Sequence, residues 1–358
     1  MIPSNRLHHP TCRSAAYRKA AWAGTTAKQA LIVSLIFEAF IKPVFGDCGF
    51  ITLPIKRRYL LSSDYFVCLP NKEPLSVHFW SILIQTLIGS MISLYVGLCI
   101  GYWIFHRFFV LFPSKKITHV PSDYGMDYEE VFFQTSDHVR LQGWWLSPQH
   151  PVMRINNKNA TLVFFPGNKG TLSKFLPGLL HLVSSGYTVF VFSYRGFGKS
   201  ALRWPTEHGV YQDSLAAVEY VLQTKQCDPK HLILYGQSLG CAMASKTAQH
   251  IHPAVLILEA GFTSMPDLVK QFIPWLPVHY LTTARFDTRH HLAHVHSPVI
   301  IAHSTEDKAV PPSQRDNLFN AAPEPKQKLT VYGLHAQGLE VNYKPYLESI
   351  RQFLEQTI

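Results

Sequence analysis

Three residues along this chain have the types and the order needed to break an acyl bond. Ser238 lies in Leu232-Ile233-Leu234-Tyr235-Gly236-Gln237-Ser238-Leu239-Gly240, where four apolar residues run into Gly-x-Ser-x-Gly. A helical pattern follows over 241–251. A serine on a sharp strand-to-helix turn needs glycine on both flanks, because side chains there would collide in the strained backbone. Such a turn lifts Oγ above a sheet and aims a helix N-terminus at the charge that forms in acyl transfer. An ordinary tight turn also uses glycines, so the motif needs partners.

A serine hydroxyl is a poor nucleophile until a base takes its proton and a carboxylate fixes that base's tautomer. In an open parallel sheet these groups come from loops at the carboxyl ends of strands, in the order serine, acid, histidine. The apolar run 299–303 leads into Ser304-Thr305-Glu306-Asp307, and the run 328–331 leads into Gly333-Leu334-His335. Asp307 is therefore read as the orienting acid, with Glu306, nearer the strand end, as its rival, and His335 as the general base. An oxyanion needs two backbone donors. Leu239 N–H, just after the serine, is one. The other is assigned to Asn168 N–H in Pro166-Gly167-Asn168-Lys169-Gly170, the loop after the run 162–165. A glycine-rich turn without a role is the plainer reading of that loop.

The elements that must hold these residues are legible from about Pro121 onward. Segments 130–135 and 139–146 read as two strands joined at Ser136-Asp137. Short apolar strands follow at 161–165, 188–194, 232–235, 255–259, 299–303 and 328–331. Helical patterns occupy 173–185, 206–224, 239–251, 312–321 and 340–355. This alternation predicts a mostly parallel α/β sheet with helices on both faces. The longest stretch without a strand, 261–297, is expected to form a small cap. Phe272, Trp275 and Leu276, with Ile273, Tyr280 and Leu281, are its candidates for cradling an acyl chain, and packing the cap down would use the same residues. The segment 193–200 invites comparison with a phosphate loop, but Ser193 stands where that pattern needs glycine. It reads as a turn supporting the sheet.

The N-terminal third is of another kind. Residues 1–28 form a basic tail without acids, 30–37 are apolar until Glu38, Lys42 and Pro43 interrupt, and 47–76 read as a connecting loop. From Pro74 to His106 there is no Asp, Glu, Lys or Arg. About 20 such residues suffice to cross a bilayer, so a transmembrane helix is expected over 77–112 with its flank. Trp80 and Tyr102-Trp103 resemble an interfacial aromatic belt. Gly89, Ser93, Gly97 and Gly101 recur every four residues and permit close helix–helix approach, hence self-association or pairing with 30–45. If so, Gly97→Leu and Gly101→Leu should weaken crosslinking in membranes. Flanking charges tie under the positive-inside rule; were 31–45 a second span, the C-terminal domain would share the cytoplasmic side with the basic tail.

The net charge of +10 is concentrated in residues 1–112, which hold 11 Lys/Arg against 4 Asp/Glu. That placement favours anionic lipid headgroups over nucleic acid, for which no basic stripe with interleaved aromatics is seen. Six cysteines lack Cys-x-x-Cys spacing, and Cys48 and Cys68 are the one pair that an oxidising space would join. His290, His291, His294 and His296 lack carboxylate or thiolate partners at ligand spacing. No metal or cofactor is implied.

Taken together, Phe165-Pro-Gly-Asn168, Tyr194-Arg-Gly-Phe-Gly-Lys-Ser200, Gly236-Gln-Ser-Leu-Gly240, Phe262-Thr-Ser264, Thr305-Glu-Asp307-Lys-Ala-Val-Pro311 and Gly333-Leu-His335 occur in the order seen in the α/β-hydrolase superfamily. The chain most resembles its membrane-anchored branch of lysophospholipid lipases, esterases and protein depalmitoylases, over about residues 122–358. The resemblance implies an α/β-hydrolase fold, a Ser238–Asp307–His335 triad, an oxyanion hole at Leu239 and Asn168, and an acyl ester or thioester substrate. Pro166, Cys241 and Ala336-Gln337 depart from the commoner residues at those places. The alternatives are a peptidase of the same fold, though nothing signals a site for a peptide terminus, and an inactive scaffold used for binding.

Overall fold

A computed structural model describes residues 77–150, 153–156, 158–168 and 170–357. The basic tail, the apolar run at 30–37, the Cys48–Cys68 pairing and a helix partner at 30–45 lie outside the described residues. All described residues belong to one compact unit, Leu75–Ile358.

The expected long helix is present as α1, Val77–Phe105. By length and composition it is sufficient to cross a membrane, and most of its apolar side chains are exposed, Met91 at 70% and Leu94 at 66%. Just after this helix, Val110 and Leu111 are packed in the core of the α/β body.

An eight-stranded sheet forms the body. Its strands are β1 (Tyr128–Gln134), β2 (Arg140–Leu146), β3 (Thr161–Phe165), β4 (Thr188–Ser193), β5 (Leu232–Gln237), β6 (Val255–Glu259), β7 (Val299–Ser304) and β8 (Lys326–Val331). Their order is β1-β2-β4-β3-β5-β6-β7-β8, and β2 alone runs against the rest. The five residues of β3 and of β6 and the six of β5 and β7 are all buried, which is why they read as unbroken apolar runs. Two cores result, one on each face. On one face pack α3 (Glu207–Gln223) and α4 (Gly240–Ile251); on the other, α2 (Leu176–Ser184) and α10 (Tyr343–Thr357). Between β6 and β7 the expected cap carries α5 (Met265–Phe272), α6 (Val278–Leu281) and α7 (Thr288–Leu292); α8 (Ser313–Ala321) and α9 (Gly338–Val341) complete the chain.

The turn at 193–200 does the supporting work expected of it. Arg195, 4% exposed, donates through Nε to Asp213 at 2.9 Å, and through its terminal nitrogens to Asp137 at 2.8 and 3.0 Å. Lys199 pairs with Glu130 at 2.8 Å. Asp213 is fully buried, so losing Arg195 would strand its charge. Arg195→Ala is expected to cost about 3–5 kcal/mol, checked by urea unfolding.

Candidate active site

Ser238 follows β5 at a left-handed backbone angle, φ +55°, a conformation that non-glycine residues occupy only when their surroundings enforce it. The flanking glycines are what allow it. A Cβ at Gly240 would fall 2.0 Å from the Phe165 carbonyl oxygen, and one at Gly236 would fall 2.7 Å from both Gly240 O and Cys241 Cα. The strand, the turn and the β3 loop can therefore approach this closely only without side chains at 236 and 240. Ser238 N–H donates to Glu259 O at 2.8 Å, which ties the turn to β6.

His335 follows β8 and Asp307 follows β7, and the fold brings both to Ser238. Ser238 Oγ–H donates to His335 Nε2 at 2.8 Å, and His335 Nδ1–H donates to Asp307 Oδ2 at 2.7 Å. It is Asp307 that His335 reaches, and Glu306 beside it is exposed. Burial alone would push the Asp307 carboxyl up. Hydrogen bonds from His303, His335 and the Val310 N–H outweigh that and hold it well below the usual carboxylate range. A lowered carboxyl pKa favours the ionised form, the form that would fix the Nδ1–H tautomer of His335.

Leu239 stands at the N-terminal cap of α4. The β3 loop runs beside the serine, since a Cβ on Gly167 would lie 3.5 Å from Ser238 Cβ. Asn168 is half-buried in that loop, and its carbonyl accepts from Phe112 N–H at 3.2 Å. Thr171 Oγ1 donates to Lys116 O at 2.9 Å, and Ser173 Oγ accepts from Thr118 N–H at 3.1 Å. The connector between α1 and the sheet is stitched along the loop that would carry the second oxyanion donor.

The proposed acyl cradle looks different. Phe272 and Trp275 are more than half exposed, and Leu276 is buried at 4%. Trp275 stands against α1, where Tyr95 O–H donates to its carbonyl at 3.3 Å.

Three supporting residues escaped the sequence reading. His303, buried at the end of β7, donates through Nε2 to Val310 O at 2.8 Å and lies 3.3 Å from Asp307 Oδ2. Glu259, buried at the end of β6, accepts from Gly338 N–H at 2.7 Å, from Tyr235 O–H and from Gln237 Nε2 at 3.3 Å. Gln237 Nε2 also donates to Ala336 O at 3.0 Å. Burial pushes the Glu259 carboxyl up, against these hydrogen bonds. One carboxylate therefore joins the serine turn to the loop that carries His335. A signal was available, since each of Val-Leu-Ile-Leu-Glu259 and Val-Ile-Ile-Ala-His303 ends an apolar strand on a titratable residue. In Glu259→Gln the amide nitrogen must face either Gly338 N–H or the Tyr235 and Gln237 donors. His335 should then shift, and a displacement of order 1 Å costs about 100-fold. A loss of about 10- to 100-fold in kcat with KM little changed is expected from steady-state kinetics, the range set by how far the loop moves.

The chain matches the family model described as serine aminopeptidase, S33, over residues 156–286. An uncharacterized protein of Mycobacterium tuberculosis is 31% identical over 262 residues, covering 73% of this chain and 91% of that protein. Protein bem46 of Schizosaccharomyces pombe is 30% identical over 60% of this chain and 72% of its own length. Among solved structures, an esterase of Pyrococcus furiosus superposes with a TM-score of 0.56 at 15% identity, covering 69% of this chain and 98% of the esterase.

Proposed function

Because the chain belongs to the α/β-hydrolase superfamily and is a hydrolase by that membership, we propose that it is a membrane-tethered serine hydrolase cleaving carboxylic ester or thioester bonds of lipid-like acyl substrates. The observation that carries the reading is the unbroken row from Ser238 Oγ through His335 to Asp307, at 2.8 and 2.7 Å.

In this reading His335 Nε2 takes the Oγ proton as Ser238 attacks the acyl carbon, and Asp307 stabilises the imidazolium that results. The tetrahedral oxyanion rests on the N–H groups of Leu239 and Asn168. Collapse breaks the ester or thioester bond, and His335 returns its proton to the leaving alcohol or thiol. Water, deprotonated by the same nitrogen, then attacks the acyl-enzyme and releases the acid with Ser238 restored. Helix α1 supplies the tether, and a bilayer supplies acyl substrates at high local concentration.

The family model's description favours one second reading, a serine aminopeptidase. A panel of lysophospholipids, acylglycerols, S-acylated peptides and aminoacyl amides, assayed on membrane fractions, separates the two. Hydrolysis of the acyl lipids or thioesters, rising with acyl-chain length, is the expected result. Turnover of the aminoacyl amides alone would overturn the ester reading, and a rate independent of chain length would remove Phe272, Trp275 and Leu276 from substrate binding.

A further inference from the structure

Helix α1 is longer than a bilayer requires. Its 29 residues extend about 44 Å at 1.5 Å per residue, whereas a hydrocarbon core is about 30 Å thick. The C-terminal part of the helix is docked on the cap. Tyr95 O–H donates to Trp275 O at 3.3 Å, Tyr102 Oη and Thr282 Oγ1 share a hydrogen bond of 2.7 Å, and His106 Nε2 accepts from Thr283 N–H at 3.1 Å. A spacing of seven residues puts Tyr95 and Tyr102 on one face of α1, and His106 lies just beyond its end. From His78 to Leu94, before the first of these contacts, the helix runs about 26 Å. A hydrocarbon core of about 30 Å laid from Val77 takes about 20 residues and ends near Val96, beside Tyr95.

Tyr95 is also where Trp275 of the cap stands. Trp275 is 55% exposed, and Phe272 and Tyr280 of the same segment are exposed at 59 and 89%. The rings of Tyr95 and Trp275 lie 6.4 Å apart. Between Asp267 and Asp287 there is no acidic residue, while Lys270 and Arg285 are present. Single exposed apolar residues are ordinary on a protein surface. Three exposed aromatics on one short segment, one of them against α1, have the composition of interfacial anchors, which set their rings at headgroup level with basic residues beside anionic lipid.

We propose that the cap tip, 270–281, is itself seated in the headgroup region of the bilayer that α1 crosses, so that the cap has two attachments to one membrane. The proposal rests on α1 being the tether. The small residues Gly89, Ser93, Gly97 and Gly101 lie on the opposite side of α1 from Tyr95 and Tyr102, so seating the cap leaves that face open.

The test uses the full chain in vesicles of phosphatidylcholine and phosphatidylglycerol, with a genetically encoded fluorescent amino acid at one position at a time. Met91 lies within α1. Glu355, on α10, shares a cavity with Ser185, which precedes the N-terminal end of β4 and so lies at the sheet edge opposite Ser238. Probes at Phe272 and Tyr280 should lose most of their emission to lipids with a nitroxide near the headgroup. The Met91 probe should be quenched best by a mid-chain nitroxide, and the Glu355 probe by neither. If Phe272 and Tyr280 behave like Glu355 while Met91 is quenched, the cap stands clear of the bilayer and the proposal fails alone. If Met91 also escapes quenching, the tether reading fails with it. Emission at Phe272 that responds to added unlabelled protein, and not to nitroxide lipid, would assign the face to a second copy and overturn the proposal.

Discussion

Ser238→Ala is expected to lower kcat on an activated ester by roughly 10⁶-fold, with folding intact. The size follows from the chemistry. Without Oγ no acyl-enzyme forms, and what remains is hydrolysis by water beside whatever backbone donors line the site. Alanine retains a Cβ at φ +55°, so the strain of the turn is unchanged, and the lost hydrogen bond to His335 is a half-exposed one. The thermal midpoint should therefore stay near that of the parent chain. A fluorophosphonate probe gives a second readout, because it reacts with the serine oxygen activated by its base. The parent protein should label and Ser238→Ala should not. A parent chain that fails to label would mark the row of hydrogen bonds as structure without reactivity, the inactive-scaffold alternative.

How much of this site could be read without coordinates depends on the range over which each residue acts. The serine turn is local. Gly236 and Gly240 are required by contacts within five residues and with the neighbouring strand, so motif and adjacent apolar run suffice to identify it. Asp307 and His335 are legible because a parallel sheet delivers successive strand ends to one edge, which turns chain order into spatial order. Glu259 and His303 act through partners 79 and 7 residues away, at Gly338 and Val310, and nothing in the local pattern names those partners. The cap shows the same limit. Apolar residues at 272–281 are legible, but their docking on α1 runs through Tyr95 and Tyr102, both 180 residues from their partners. The Glu259 support is long-range and the serine turn is local, and for that reason the turn is the more visible of the two in the sequence.

Asp307→Asn should cost about 10⁴-fold in kcat, because an asparagine amide leaves His335 free to hold its proton on Nε2, where it can no longer accept from Ser238. The loss should exceed that of Glu259→Gln by about 100-fold or more, since Asp307 bonds the base directly while Glu259 acts through its loop. Asp307→Asn also separates catalysis from pH-dependent stability. The folded carboxyl is held below its unfolded value, near 4 for a free aspartate, so the unfolded chain binds a proton there before the folded one does. Its contribution to stability is complete above that value and is lost as pH falls below it. The parent chain should therefore gain stability over Asp307→Asn between about pH 3 and pH 7, with the difference in thermal midpoint wider at pH 7. A difference independent of pH would mean that the carboxyl is not held down in the folded state. The pairing with His303 and His335 would then be weaker than distances of 3.3 and 2.7 Å imply, and tautomer control would have to come from elsewhere.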